Sequence, residues 1–466
     1  MKVLQATQSP PEYIPPPLLD PEQVICGPNY PDRSDGDRIR SLHVERGDLD
    51  IARVVARIPR EQRPELIVVR VDSSKMLLPR NLAALSCRRV LLVGDTHHDA
   101  AAITSIVDYA VSEPYDLVLL DYTRQHAHFF IEAGLKQVYW LPGFNVARSA
   151  TPAVAVPDVA LSFVGNVGNL YPRRTHLMSA LHFAGLPIWV VQAPRAEARI
   201  LHARSQVSLN CSLNGDLNLR LLEILESGGF LLTDRLGRES GLDLLFEEGQ
   251  HYAGYGGIEE CVEQCRRYLG DRAGAAQIAR QGKIAFERQL APERIRADFF
   301  ALLERGVVRP EFALARDPRV LRRRRVRAVL RPHIAIYELL QALQHARESV
   351  GVLATTGIDP SILWDAHDLA RVRIALLAGD TDRVTADLPP GILQDGTRSN
   401  DPLDVLLSTL AEWRLLRDQG RFARLLPGVL ILCDTEPGIA LAAEVRRSGF
   451  EPLTDRVPAF GRVASP

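Results

Sequence analysis

The chain has 466 residues, enough for two or three domains, and its 46% hydrophobic and 24% charged residues are the balance of a globular protein, not a disordered one. A formal net charge of -1 gives no global attraction for nucleic acid, and no run approaches the roughly 20 apolar residues that span a bilayer. Six scattered cysteines, at 26, 87, 211, 261, 265 and 433, exclude a disulfide framework and read as core or free thiols in a reducing compartment.

Residues 1–23 are rich in proline and polar side chains and lack the apolar centre of a secretion signal, so they are expected to form a flexible N-terminus on a cytoplasmic protein. From 24 to 145 short apolar runs alternate with helical patterns. Val24–Cys26, Leu66–Val69, Val90–Val93, Leu117–Leu120 and Val138–Leu141 are unalternated and rich in branched residues, as strands covered on both faces must be. Asp48–Ile58, Asn81–Ser86, Ala100–Val111 and Gln125–Ala133 are the expected intervening helices, which gives a parallel sheet of Rossmann type.

Ligands on such sheets bind beyond the carboxyl ends of the strands. There the densest ionisable group is Asp95-Thr96-His97-His98-Asp99, with Val71–Lys75 and Asp121–Thr123 beside it. Imidazole titrates near neutrality and a neighbouring carboxylate can orient its proton, so Asp95 and His97 are candidates for acid/base work. The same atoms make a metal site conceivable, but the sequence places no further ligand, and none is assigned.

After the break at Pro142-Gly143-Phe144-Asn145 a second α/β block begins. Leu161–Val164 reads as its first strand, and Gly165-Asn166 turns toward a helix near Arg173 and Arg174, where backbone N–H groups and guanidinium groups suit a diphosphate. Ile188–Val191 precedes Gln192, and the strand ending at Leu209 precedes Asn210. The stretch NLRLLEILESGGFLLTD, Asn218 to Asp234, joins an amphipathic helix carrying Arg220 and Glu223 to a Gly228-Gly229 stop and a buried strand. Helical patterns follow at Ile258–Leu269 and Ala273–Gln289.

These features in this order resemble the donor-binding half of GT-B glycosyltransferases, in the spore-maturation-protein branch of group 1. The carrying residues are Leu161–Leu181, Ser208–Asn210, the Asn218–Gly229 helix and the strand after it. The resemblance implies an α/β fold with two Rossmann-like domains (GT-B), an acceptor-side domain over 24–145 and a nucleotide-sugar donor domain over 158–305. It implies that Glu223 bonds the ribose, Arg220 faces the diphosphate, Gly228 and Gly229 let the helix end pack close, Gly165 and Asn166 form the first donor loop, Asn210 precedes a ligand-facing loop and Gln192 lines the base pocket. Arg173 and Arg174 would add charge at the phosphates, and the Asp95/His97 loop would face the acceptor. No cofactor and no tightly bound metal are implied; the donor is itself the substrate, and the acceptor is a glycan or a protein. One departure is that the spacing of two glutamates common in retaining members is absent, Asp216 standing seven residues before Glu223. Another is that no lysine lies between 192 and 206, where Arg195, Arg199 and Arg204 are available.

Residues 306–332 form an arginine-rich linker, with Arg322–Arg325 consecutive and no interleaved aromatic residues, so nucleic acid is not expected. Residues 333–466 are expected to be a mostly α-helical module, with helices at Ile334–Ser349, Ala366–Ala378, Pro402–Asp418 and Phe422–Ile431 and turns such as Asp395-Gly396, suited to docking a protein partner. The competing reading of the whole chain is a non-catalytic GT-B-derived scaffold; a nicotinamide enzyme is disfavoured because no GxGxxG follows an early strand.

Overall fold

The computed structural model describes residues 1–13, 18, 23–97, 101–146, 156–314, 327–346, 349–369, 371–377, 403–420, 422–425, 427–435, 437–454 and 456–463. His98, Asp99, Asp395-Gly396 and the Arg322–Arg325 run lie outside them. The chain divides into two compact units, Met1–Ala315 and Arg316–Pro466.

The first unit opens with β1 (Val3–Thr7), β2 (Val24–Gly27), β3 (Arg33–Asp35), β4 (Arg38–His43), β5 (Gly47–Asp50), β6 (Leu66–Val71), β7 (Leu77–Arg80), β8 (Arg88–Val93), β9 (Leu117–Leu120) and β10 (Val138–Trp140). Eight of them form a sheet in the order β10-β9-β8-β6-β1-β2-β4-β3, parallel except for β3. All five expected strands are present. The expectation of a flexible N-terminus is corrected, because β1 is a fully buried central strand, with Ala6 paired to Val69 on one side and Cys26 on the other. Its polar Gln5 and Thr7 and its short length hide it beside the prolines that follow; only pairing on both edges reveals it.

The second sheet, β11 (Val159–Val164), β12 (Ile188–Val191), β13 (Ser205–Leu209), β14 (Leu231–Asp234) and β15 (Ala253–Tyr255), runs β12-β11-β13-β14-β15 and is wholly parallel. Two Rossmann-like halves are thus observed, as expected. The Leu219–Ser227 helix starts where Asn218 accepts the Leu221 N–H at 3.1 Å and stops at Gly228, whose φ of 78° is the left-handed cap that glycine adopts without strain.

One apolar core holds both halves. It runs from Val68, Val90 and Leu119 under the first sheet, through Trp140, Leu141 and Phe144 of the crossover, to Leu221, Leu225, Leu290 and Phe299. The Pro292–Arg305 helix, last of the second half, returns to pack Phe299 on Phe144 with ring centroids 5.2 Å apart.

The second unit is not helical alone. β16 (Val350–Ala354), β17 (Val372–Leu376), β18 (Val405–Ser408), β19 (Val429–Leu432), β20 (Phe450–Pro452) and β21 (Ala459–Arg462) form a six-stranded sheet ordered β17-β16-β18-β19-β21-β20. The first four are parallel, and β21 is antiparallel to both β19 and β20. The expectation of helical hairpins therefore holds for Arg327–Ala346 and for the Leu410–Asp418 part of its segment, but β17 stands in place of the helix expected over Ala366–Ala378, after the unexpected helix Pro360–His367, and β18 and β19 take parts of the other two expected helices. Val-Leu-Leu-Ser and Val-Leu-Ile-Leu are short apolar runs whose periodicity suits a buried strand and a buried helix equally. No helix among the described residues is long and apolar enough to cross a membrane.

Truncating the ring that joins the halves, Phe299→Ala, should cost about 3–5 kcal/mol, read from the urea-denaturation midpoint of the full chain, because the flanking rings cannot collapse into the void.

Candidate active site

Both parallel sheets end at one cavity of about 230 Å³. Arg70, Asp95, His97 and Tyr122 line it from the first half, and Asn166, Tyr171, Arg174, Leu213, Asp216, Asn218, Leu219 and Arg220 from the second. Each of the first-half residues ends or follows a strand, which is where parallel sheets present ligand groups.

The cationic wall is built around Gly165. Arg220 Nε donates to Val164 O at 2.5 Å and its Nη1 to Asn210 Oδ1 at 3.1 Å, while the guanidinium lies 4.4 Å from the Phe163 ring centroid. A Cβ on Gly165, whose φ is +151°, would fall 2.1 Å from Arg220 Nη2, so only glycine leaves room for this arginine. Asn210, wholly buried, is fixed in turn by Thr233 Oγ1 at 2.9 Å and by Tyr255 OH on its carbonyl at 2.7 Å. Arg174 Nε donates to Cys211 O at 3.1 Å and its guanidinium sits over Tyr171 and Phe163. These bonds reach uncharged acceptors only. Burial, and then the charge of Arg174, push the Arg220 pKa down to about 9, so a bound anion would relieve both.

The same cavity carries Asp95, His97 and Asp216, one ligand atom of each lying within 4.8 Å of the others. His97 N–H bonds Ser73 Oγ at 3.2 Å and Ser73 N–H bonds Asp95 O at 2.8 Å, so the two loops after β6 and β8 brace one another. Asp216 is buried, with Ser212 Oγ donating to its Oδ1 at 2.9 Å. Burial raises its pKa, Asp95 adds to the rise, and His97 opposes it. Two acids and an imidazole at this spacing can pass a proton or hold a divalent cation.

Other sequence candidates sit elsewhere. Arg173 does not line the cavity; its Nη1 donates to Asp234 Oδ2 at 3.0 Å and to Ser212 O at 2.8 Å, while Asp234 Oδ1 takes the Ser212 N–H at 2.8 Å. It therefore positions the loop that carries Asp216. Glu223 lies one turn beyond Leu219, its Oε1 bonded to Arg195 Nε at 2.5 Å, and its other oxygen makes no hydrogen bond among the described residues. Arg195 also reaches Glu12 O and Asn145 O of the first half. Gln192 is exposed at the end of β12. Gly228 and Gly229 serve helix packing: a Cβ on Gly229 would meet His202 O at 2.7 Å.

Sequence reasoning passed over Arg70 and Leu213, named Tyr122 and Tyr171 only within the Asp121–Thr123 and Leu161–Leu181 segments, and left Asp216 without a role. Arg70 lies inside the apolar run Leu66–Val71, and a charge within a buried strand was the signal that could have found it. Asp121 is another. It is fully buried, accepting from Phe144 N at 3.2 Å and Asn145 Nδ2 at 2.5 Å, and desolvation raises its pKa to about 7 against the opposing charge of Arg70. It clamps the crossover between the halves.

Residues 167–300 match the family model described as glycosyl transferase-like. This stretch is similar to that family and holds β12 to β15 of the second sheet, β11 standing just before it. No curated protein matches the chain. Among solved structures it is similar to Anabaena HepE in complex with UDP and glucose, at 14% identity and a TM-score of 0.48, over 66% of this chain and 100% of that one. It is also similar to sucrose-phosphate synthase from Thermosynechococcus elongatus, at 10% identity and a TM-score of 0.45, over 65% and 98%.

Two outcomes are expected. Gly165→Ala should displace the Arg220 guanidinium and weaken binding of inorganic pyrophosphate at least about tenfold by calorimetry, since one charge-assisted contact is worth about 1.5–3 kcal/mol. Native Asp121 keeps its proton to about pH 7 whereas the unfolded group releases it near 3.8, so the folded chain binds more protons across that window and stability falls as pH rises through it. Asp121→Asn should remove that slope from denaturation midpoints measured at successive pH values.

Proposed function

We propose that this chain is a group 1 glycosyltransferase, moving a sugar from a nucleotide-diphosphate sugar to an acceptor held between its two Rossmann-like halves. The carrying observation is the pair Arg174 and Arg220, which face the cavity from within the glycosyl transferase-like match while bonded only to uncharged acceptors. Cleaving the sugar–phosphate bond puts negative charge on the departing diphosphate. Guanidinium groups already fixed in place stabilise that charge without reorganising as the bond breaks.

Asn166 and the backbone after Gly165 take the phosphates beside these arginines. A cavity of about 230 Å³ is smaller than the roughly 300–1,000 Å³ of whole-ligand pockets, so it holds the reacting part of the donor. The nucleoside extends along the end of β12, where Gln192 is exposed and the second oxygen of the buried Glu223 makes no hydrogen bond among the described residues, leaving it to a ribose hydroxyl. Asp95 and His97 reach the cavity from the other half, in position to take the proton of an acceptor hydroxyl. The free thiols accord with a cytoplasmic setting, where such donors are made available.

The test is thermal shift of the full chain against UDP, GDP, TDP, CMP and their sugars, followed by donor hydrolysis. One nucleotide class should raise the midpoint in a concentration-dependent way. Arg220→Ala should abolish that rise, and Glu223→Ala should reduce it. A specific shift with no transfer or hydrolysis would return the non-catalytic scaffold instead, and no shift with any nucleotide would overturn the donor site.

A further inference from the structure

The acidic cluster of the cavity carries an atom that the described residues leave unsatisfied. Asp216 is 1% exposed, and while Oδ1 accepts from Ser212, Oδ2 is buried and hydrogen-bonds nothing among the described residues. A buried carboxylate oxygen without a partner is costly, and the loop does not relax it away. The reason is mechanical: Ser212 is tied to Asp234, Asp234 to Arg173, and Ser212 Oγ also takes the N–H groups of Gly215 at 2.9 Å and Asp216 at 3.1 Å. The carboxylate is therefore held toward the cavity by a chain of bonds that starts on another helix.

We propose that Asp95, His97 and Asp216 together form a binding site for one divalent transition-metal ion, for which Mn²⁺ is the probe. An imidazole nitrogen and two carboxylate oxygens, each within 4.8 Å of the others, can converge on a single ion and leave positions open toward the cavity. The donors decide the class of metal. Ca²⁺ takes six to eight oxygens and a closed structural Zn²⁺ site four protein ligands, whereas one imidazole and two carboxylates with open positions suit an open transition-metal site of the kind that holds Mn²⁺, Fe²⁺ or catalytic Zn²⁺. The ligands come from the two halves, so the ion would join the loop after β8 to the loop before the Leu219–Ser227 helix. Arg70, Arg174 and Arg220 line the same cavity and oppose a cation, which weakens the affinity below that of a closed site. This departs from the metal-free expectation of the sequence, and it stands whether or not the chain transfers a sugar.

The full chain, stripped with a chelator, is titrated with Mn²⁺ alone while the electron paramagnetic resonance signal of the free ion is followed. One ion per chain should be taken up, and Asp216→Asn, Asp95→Asn and His97→Gln should each weaken uptake at least about tenfold. Should Asp216→Asn fail to fold, the other two variants, on partly exposed residues, test the site in the same way. A stripped parent that leaves the free-ion signal unchanged, or variants that bind as the parent does, would overturn the site. Nucleotide thermal shifts of the same preparations in chelator report on the donor site separately, so the two readings can fail independently.

Discussion

The cavity depends on one shared hydrophobic core. Two parallel sheets bring their carboxyl ends together because Trp140 and Phe144 of the crossover, Leu221 and Leu225 of the Leu219–Ser227 helix and Phe299 of the returning helix pack as one cluster. Polar bonds then set the register of the halves. Arg124 reaches across to Glu239 at 2.9 Å, Leu217 N–H bonds Tyr122 O at 3.2 Å, and Asp121 holds the crossover backbone. Without that core, Asp95 and His97 would belong to a different body from Asp216, Arg174 and Arg220.

Around the cavity the arginines divide by partner. Arg173, Arg195 and Arg199 spend their charge on Asp234, Glu223 and Glu226, at 3.0, 2.5 and 3.3 Å, and these pairs are buried. Breaking such a pair leaves a charge stranded in the interior, so they act as fasteners between helices and loops. Arg174 and Arg220 are anchored instead by carbonyls, an amide and aromatic faces, which fix the guanidinium without cancelling its charge. Position and net charge together, rather than residue type, separate a cavity-lining arginine from a structural one.

The second unit shows where pattern reading fails. A helix of two and more turns declares itself by a 3.6-residue period over several positions, and the nine-residue Leu410–Asp418 does so. A four-residue strand such as Val405–Ser408 offers no period at all. It is a strand because Val352 lies beside Val405 and Val429 on its other edge, pairings 53 and 24 residues away that no local window contains.

By itself the sequence determined the parallel strands of the first unit, the Asn218 cap and Gly228 stop, the glycine turn at Gly165, and the residue set Asp95, His97, Asn166, Arg174 and Arg220 that lines the cavity. All of these are local: branched apolar runs, capping side chains and the φ tolerance of glycine act within a few residues. Tertiary structure alone decided that β1 is the centre of its sheet, that Arg173 braces a loop, that Glu223 is shared with Arg195, and that Asp216 meets Asp95 and His97. The physical reason is the same in each case, since burial and charge pairing are fixed by groups distant in the chain, whose proximity exists only once the two sheets share a core.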